Sequence, residues 1–249
     1  MVQKFEYPFP PAGEDRRIHL YLPDEYESSG ERYPVLYMFD GHNLFFDSDA
    51  TYGKSWGLKD FLDLWEKKLI VVGMECGHGD GQRLTEYSPY RIHARDLGDI
   101  NGQGAATMDW IVYDLKPYID STYRTWSHRE ATAVGGSSMG GLMALFAVLR
   151  YNRWFSKAAA VSPAVVFALD SVRREVREPL DADTRVFFSW GEEEFRPEYL
   201  GRVDSTIREL EAAVQRQGAR TRRYCQPGGQ HNEASWGRQV PRWMEFLWY

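Results

Sequence analysis

Short β-rich runs alternate along this chain with segments of helical spacing, and that alternation restricts the fold more than any other feature. Residues Arg16–Pro23 alternate apolar and polar as a strand does, and "YPVLYMFDG" (Tyr33–Gly41) and "LIVVGMEC" (Leu69–Cys76) are continuous apolar runs of the buried-strand kind. Between them "GLKDFLDLWEKK" has helical spacing, and "AATMDWIVYDLKPYIDSTY" is a longer helix whose Pro117 predicts a kink or an irregular turn. A strand at "EATAVGGSS", a helix from Met139 to about Tyr151, and strands at "KAAAVSP" and "TRVFFSWG" (Thr184–Gly191) continue the pattern. A helix over "PEYLGRVDSTIRELEAAVQRQG" ends at the capping Gly218. A last strand, "RTRRYCQPGG", precedes a last helix expected to be interrupted by Pro241. Strands separated by helices of ten or more residues define βαβ units. The expected fold is α/β: a mostly parallel central sheet with helices on both faces and an antiparallel edge formed by the first strands. No repeat or linker divides the chain, so residues 1–249 read as one domain. In such sheets ligands bind at the carboxyl ends of the strands.

Composition excludes several classes. The 249 residues are 43% hydrophobic, enough for a sizeable core, and carry a formal net charge of -6 with no basic stripe, which argues against a nucleic-acid partner. Cys76 and Cys225 form neither a disulfide framework nor a metal array and read as small buried residues. The first residues lack the apolar core of a signal peptide and no run reaches membrane-spanning length, so the chain reads as cytoplasmic with no membrane partner.

The strand-turn-helix at Thr132–Arg150 contains Gly136-Ser137-Ser138-Met139-Gly140, a G-x-S-x-G motif in the one register that fits. It selects Ser138 as a nucleophile on a tight, strained turn at a helix N-terminus, with the Met139 N–H directed at a developing oxyanion. A serine hydroxyl needs a base. The base follows the nucleophile in this motif's chain order, and His231 is the only histidine after Ser138. An orienting acid is expected after "TRVFFSW", where Glu192, Glu193 and Glu194 are all available; Asp181, Asp183 and Asp204 lie before the strand or in the following helix. The second oxyanion donor is expected in "FDGHNLF", from the N–H of Gly41 or His42. Trp56, Trp190 and Trp236 flank these loops as candidate stacking surfaces for a sugar or an aromatic acyl group. No spacing demands a metal, and no cofactor is expected.

These residues together resemble a family, the α/β-hydrolase esterases of the esterase D, enterobactin-esterase and feruloyl-esterase type. "VLYMFDGHNLF", "RLTEYSPY" (Arg83–Tyr90), "GGSSMGGLMA" and "GGQHNEASW" carry the resemblance. The family's Gly-x-x-Glu/Asp element falls on Gly191 and Glu194, which implies Glu194 as the acid, with Glu193 second. The resemblance implies hydrolysis of a carboxylic ester through an acyl-enzyme, with a small-molecule or oligosaccharide ester as partner. Within that class the tryptophans favour acylated carbohydrate or phenolic (feruloyl, acetyl) esters. A siderophore trilactone, an S-formylglutathione-type thioester, acyl transfer to another acceptor and a non-catalytic binding role are the alternatives. The polar, glycine-rich stretch from Gly77 to Gly104 is expected to cover part of the site.

Overall fold

The computed structural model describes residues 1–94 and 98–249. Eight strands form one sheet in the order β1-β2-β4-β3-β7-β8-β9-β10. They are β1 (Val2–Phe9), β2 (Glu14–Tyr21), β3 (Val35–Phe39), β4 (Ile70–Met74), β7 (Thr132–Ser137), β8 (Lys157–Val161), β9 (Arg185–Gly191) and β10 (Arg220–Gln226). A separate small hairpin pairs β5 (Ile92–Ala94) with β6 (Gly98–Ile100). From β4 through β10 the main sheet is parallel, and β1 and β2 add the antiparallel edge. The helices are α1 (Tyr26–Ser29), α2 (Leu58–Leu64), α3 (Gln82–Glu86), α4 (Gly104–Trp110), α5 (Lys116–Thr122), α6 (Met139–Arg150), α7 (Leu169–Glu175), α8 (Pro197–Arg216) and α9 (Glu233–Trp248).

The period of two along a strand sorts its side chains to opposite faces, and both faces here are covered. Val35, Tyr37 and Phe39 of β3 pack in the core that includes Ile111, Leu115 and the apolar side of α6 and α8. Leu36 and Met38 of the same strand pack in a second core with Leu58 and Leu62 of α2 and Trp236, Val240 and Trp243 of α9. This is the α/β-hydrolase arrangement, and it explains why the central strands are apolar at consecutive positions. No helix among the described residues is long and apolar enough to cross a membrane.

Two local expectations, at Pro241 and Cys225, are changed by the structure, and others gain detail. β1 lies in the N-terminal segment, where Phe5, Tyr7 and Phe9 alternate with Glu6 and Pro8. Pro117 sits at the start of α5, and the chain before it, Ile111–Leu115, winds as a π-helix: a wider turn accommodates the missing N–H without breaking the helical path. Pro241, by contrast, does not interrupt the last helix. α9 runs continuously across it, because Trp236, Val240, Trp243, Met244 and Leu247 are buried on one side and hold the helix together despite one lost hydrogen bond. Cys76 is buried as expected, but Cys225 is exposed, since β10 is the sheet edge.

Candidate active site

Five parallel neighbours, β3, β7, β8, β9 and β10, deliver one loop each to the same rim of the sheet, and those loops hold the candidate residues. Ser138 follows β7. Its backbone lies at φ 57°, ψ -119°, a strained conformation for a residue with a side chain, and its N–H donates to Val161 O at 3.0 Å across the sheet. The turn is so tight that a Cβ on Gly136 would stand 2.8 Å from the backbone of Gly140. That contact is the physical reason for the glycines of the motif. Met139 is the first residue of α6, so its N–H has no acceptor within the helix.

His231 lies in the loop after β10, two residues before α9. Asn232 caps that helix by accepting from Ser235 N at 2.9 Å, and Gln230 N donates to Ser235 Oγ at 2.9 Å, so the histidine is held between two anchored neighbours. Its Nδ1 lies 3.1 Å from Glu194 Oε2. The Glu194 side chain is fully buried, and its other oxygen accepts from Gly191 N at 2.8 Å and from Ser162 Oγ. The neighbouring glutamates point elsewhere: Glu192 accepts from Gly228 N at 3.2 Å and Glu193 from Gln230 Nε2 at 3.0 Å. They tie down the loop that carries His231. Of the three carboxylates, only Glu194 is hydrogen-bonded to the imidazole.

Ser138 and His231 both line two cavities of different character, although no hydrogen bond joins their side chains in this arrangement. Such bonds often shorten only when substrate is bound. One cavity, about 720 Å³, is the more polar, with Asn43, Thr51, Lys54, Asn232 and Glu233 on its walls. The other, about 370 Å³, is apolar, with Val165, Phe167, Trp190, Phe195 and Ile207. Burial raises the Glu233 carboxyl above its usual range; its Oε1 accepts from Asn43 Nδ2 at 3.3 Å.

The loop after β3 is built on Asp40, whose backbone is left-handed at φ 59°, ψ 51°. Arg83 grips the Asp40 carboxylate with two hydrogen bonds of 2.7 Å, and Asp40 N donates to Tyr87 Oη at 3.3 Å. Gly41 and His42 open the short 3₁₀ turn Gly41–Asn43, which leaves their N–H groups without acceptors inside it. Gly41 is pressed on β4: a Cβ there would meet Gly73 C and O at 2.5 Å. His42 is buried, which lowers its pKa.

The tryptophans divide. Trp190 lines the apolar cavity and Trp236 the polar one, where its ring stands edge-on to His231 with centroids 4.9 Å apart. Trp56 is a correction: it lines neither cavity but is buried 6.1 Å from Trp236, because the Trp56 backbone packs under Gly237 of α9 and turns the indole into the core. From the Gly77–Gly104 stretch, Gly77, His78, Gly79 and Arg83 reach the polar cavity; residues 95–97 lie outside the described residues.

Sequence reasoning missed Ser162, which sits just after β8 at φ 44°, bonded to Glu194 and accepting from Trp236 Nε1 at 3.0 Å. The only sequence signal was its position at a strand's carboxyl end. It also left Arg83 and Tyr87 without a role, although both stand in the quoted "RLTEYSPY" segment.

The fold and the strained serine turn define an α/β-hydrolase of the serine type. Residues 11–246 match the family described as "Putative esterase", and the chain belongs to that family. It is a serine esterase. Among curated proteins it is 26% identical over 184 residues to the uncharacterized protein YbbA of Bacillus subtilis, covering 73% of this chain and 70% of that one. It is 30% identical over 145 residues to the esterase Rv1288 of Mycobacterium tuberculosis, covering 58% of this chain but 28% of the relative. An IroE-like serine hydrolase from Shewanella oneidensis has the same fold at TM-score 0.78 and 20% identity, over 99% of this chain and 80% of that one. A ferulic acid esterase matches at TM-score 0.75 and 19% identity, over 99% and 97%.

Proposed function

We propose that the chain hydrolyses esters of an apolar or aromatic acid with a polyhydroxylated alcohol, through an acyl-enzyme on Ser138. The observation that carries this reading is the position of Ser138 and His231, the latter held by buried Glu194, at the junction of an apolar and a polar cavity. His231 removes the Ser138 proton as the hydroxyl attacks the ester carbonyl, and Glu194 stabilises the imidazolium that forms. The tetrahedral oxyanion takes hydrogen bonds from the N–H of Met139 and from the Gly41–His42 turn. His231 then protonates the leaving alcohol, and in the second half-reaction activates water.

The substrate class follows from the two walls. An aromatic or aliphatic acyl group fits the side formed by Val165, Phe167, Trp190 and Phe195. A sugar-like alcohol fits the side where amide, hydroxyl and carboxyl groups converge. The cations of the polar cavity are paired, Arg83 with Asp40 and Lys54 with Asp47, which favours a neutral acylated carbohydrate or phenolic ester over a polyanion.

Burst kinetics with p-nitrophenyl acetate test the mechanism, with Ser138→Ala expected to abolish the burst and labelling by a fluorophosphonate. Labelling of another residue overturns the assignment. A screen of feruloyl sugar, acetyl-xylan, siderophore and thioester substrates tests the class. Higher kcat/KM on siderophore or thioester than on sugar esters refutes the substrate reading alone.

A further inference from the structure

The carboxyl ends of β3 and β4 carry side chains that the ester chemistry leaves unused. His42 follows β3, Glu75 and His78 follow β4, and one ligating atom from each lies within 4.8 Å of the other two. His42 and His78 both line the polar cavity.

The bonding around these groups differs from that of an ordinary charged cluster. His42 is more than nine-tenths buried; its Nε2 is 3.0 Å from Thr51 Oγ1, while its Nδ1 is buried without a hydrogen-bond partner. With the Nε2 proton given to Thr51, the Nδ1 lone pair is left free, the arrangement by which an outer partner orients a metal-binding histidine. Glu75 is oriented in the same way. Its Oε1 is 2.6 Å from Nε2 of the buried His19, and its Oε2 is 2.8 Å from His78 Nε2. His78 is largely exposed and stands between Gly77 and Gly79, so its ring can turn from Glu75 to share an ion.

We propose that His42 Nδ1, Glu75 Oε2 and His78 Nε2 bind one divalent first-row transition ion, with zinc the best fit, on the wall of the polar cavity. Two imidazole nitrogens and one carboxylate oxygen, with a fourth position open to the cavity, are the donor set of an open zinc site. Ligand atoms of tetrahedral zinc lie about 3.3 Å apart, given bonds of about 2.0–2.1 Å. The three ligand atoms, within 4.8 Å of one another, adjust by about an ångström to reach that geometry, and the exposed His78 side chain is the freest of the three to do so. This assignment goes beyond the sequence reading, in which no spacing demanded a metal. It is independent of the acyl-enzyme mechanism, which routes no step through the ion.

The test strips the tag-free full chain of metal, then titrates it with zinc in competition with a chromophoric chelator and, separately, with cobalt(II) while recording visible absorption. One equivalent of zinc binds, and cobalt gives the intense absorption of a four-coordinate centre. His78→Ala, on an exposed loop, and Glu75→Gln each weaken zinc binding by more than about 100-fold, beyond the 10–100-fold expected for loss of an outer partner. His128→Ala and Ser138→Ala bind zinc as the parent does, which separates failure here from failure of the esterase reading. Circular dichroism verifies that each variant is folded. Absence of saturable binding, a pale six-coordinate cobalt spectrum, or undiminished affinity in folded His78→Ala overturns the proposal.

Discussion

The substitution Gly41→Ala adds one methyl group where the structure has no room for it. The new Cβ would stand 2.5 Å from both C and O of Gly73 and 2.9 Å from Met74 N, all of them backbone atoms of a buried central strand. Ordinary contact begins near 3.4 Å, so the Gly41–Asn43 turn must retreat from β4 by about 0.9 Å. An oxyanion donor acts at about 2.7–3.1 Å. A shift of that size lengthens such a bond past useful range while leaving both cavities in place. The expected outcome is a fall in kcat of about 10²–10³-fold, the cost of removing one oxyanion donor, with KM changed little. The assay is steady-state hydrolysis of a p-nitrophenyl ester, with fluorophosphonate labelling of Ser138 to count intact sites. Gly201→Ala is the control: it lies in α8 with open space around its Cβ position and should stabilise the chain slightly, by about 1 kcal/mol, without changing kcat. If Gly41→Ala folds and retains kcat within a few-fold, the turn after β3 does not hold the oxyanion and the placement of that donor is wrong.

Ser162→Ala removes a donor to Glu194 and strands the buried Trp236 Nε1; we expect a loss of about 2–4 kcal/mol in urea unfolding and a fall in kcat of about tenfold, with a changed pH profile marking the positioning role. Glu194→Gln lowers kcat far more than Glu193→Gln, which acts only through the loop; equal effects in steady-state kinetics would refute the choice of acid. Lys157, held down to about 8 by burial, titrates near 10.4 when unfolded. The unfolded chain therefore binds more protons between those values, and stability rises with pH across that window by up to about 3 kcal/mol, while below pH 8, where both states are protonated, this group adds no further pH dependence. In Lys157→Met the rise from pH 8 to 10 in denaturant titrations is absent.

The alternation of strand and helix was legible because both faces of a parallel sheet are buried, which forces long apolar runs with glycine-rich breaks. Ser138 and His231 were legible as candidates because each occupies a loop between a strand and a helix, where few residues offer chemistry. The acid needed more: three consecutive glutamates look alike until the turn after β9 directs one inward and two onto the histidine loop. Trp56 shows the opposite failure, since proximity in sequence to a site loop says nothing of where an indole points once its backbone is pinned by Gly237. Ser162 and the Asp40–Arg83 pair escaped notice because their importance lies in contacts across the sheet or over 43 residues of chain, which no local pattern encodes. The Pro241 misreading came from weighing one lost helical bond without the packed apolar stripe around it.

If the proposed function holds, the difference in polarity between the two chambers at Ser138 orders the traffic of a turnover. With the acid portion lodged on the greasy side, the released alcohol and the incoming water share the wet side as their doorway. The second half-reaction then waits on departure from the first, and a sugar-like product that lingers intercepts the acyl group before water does. Slow exit would thus show itself as transesterification rather than as simple inhibition.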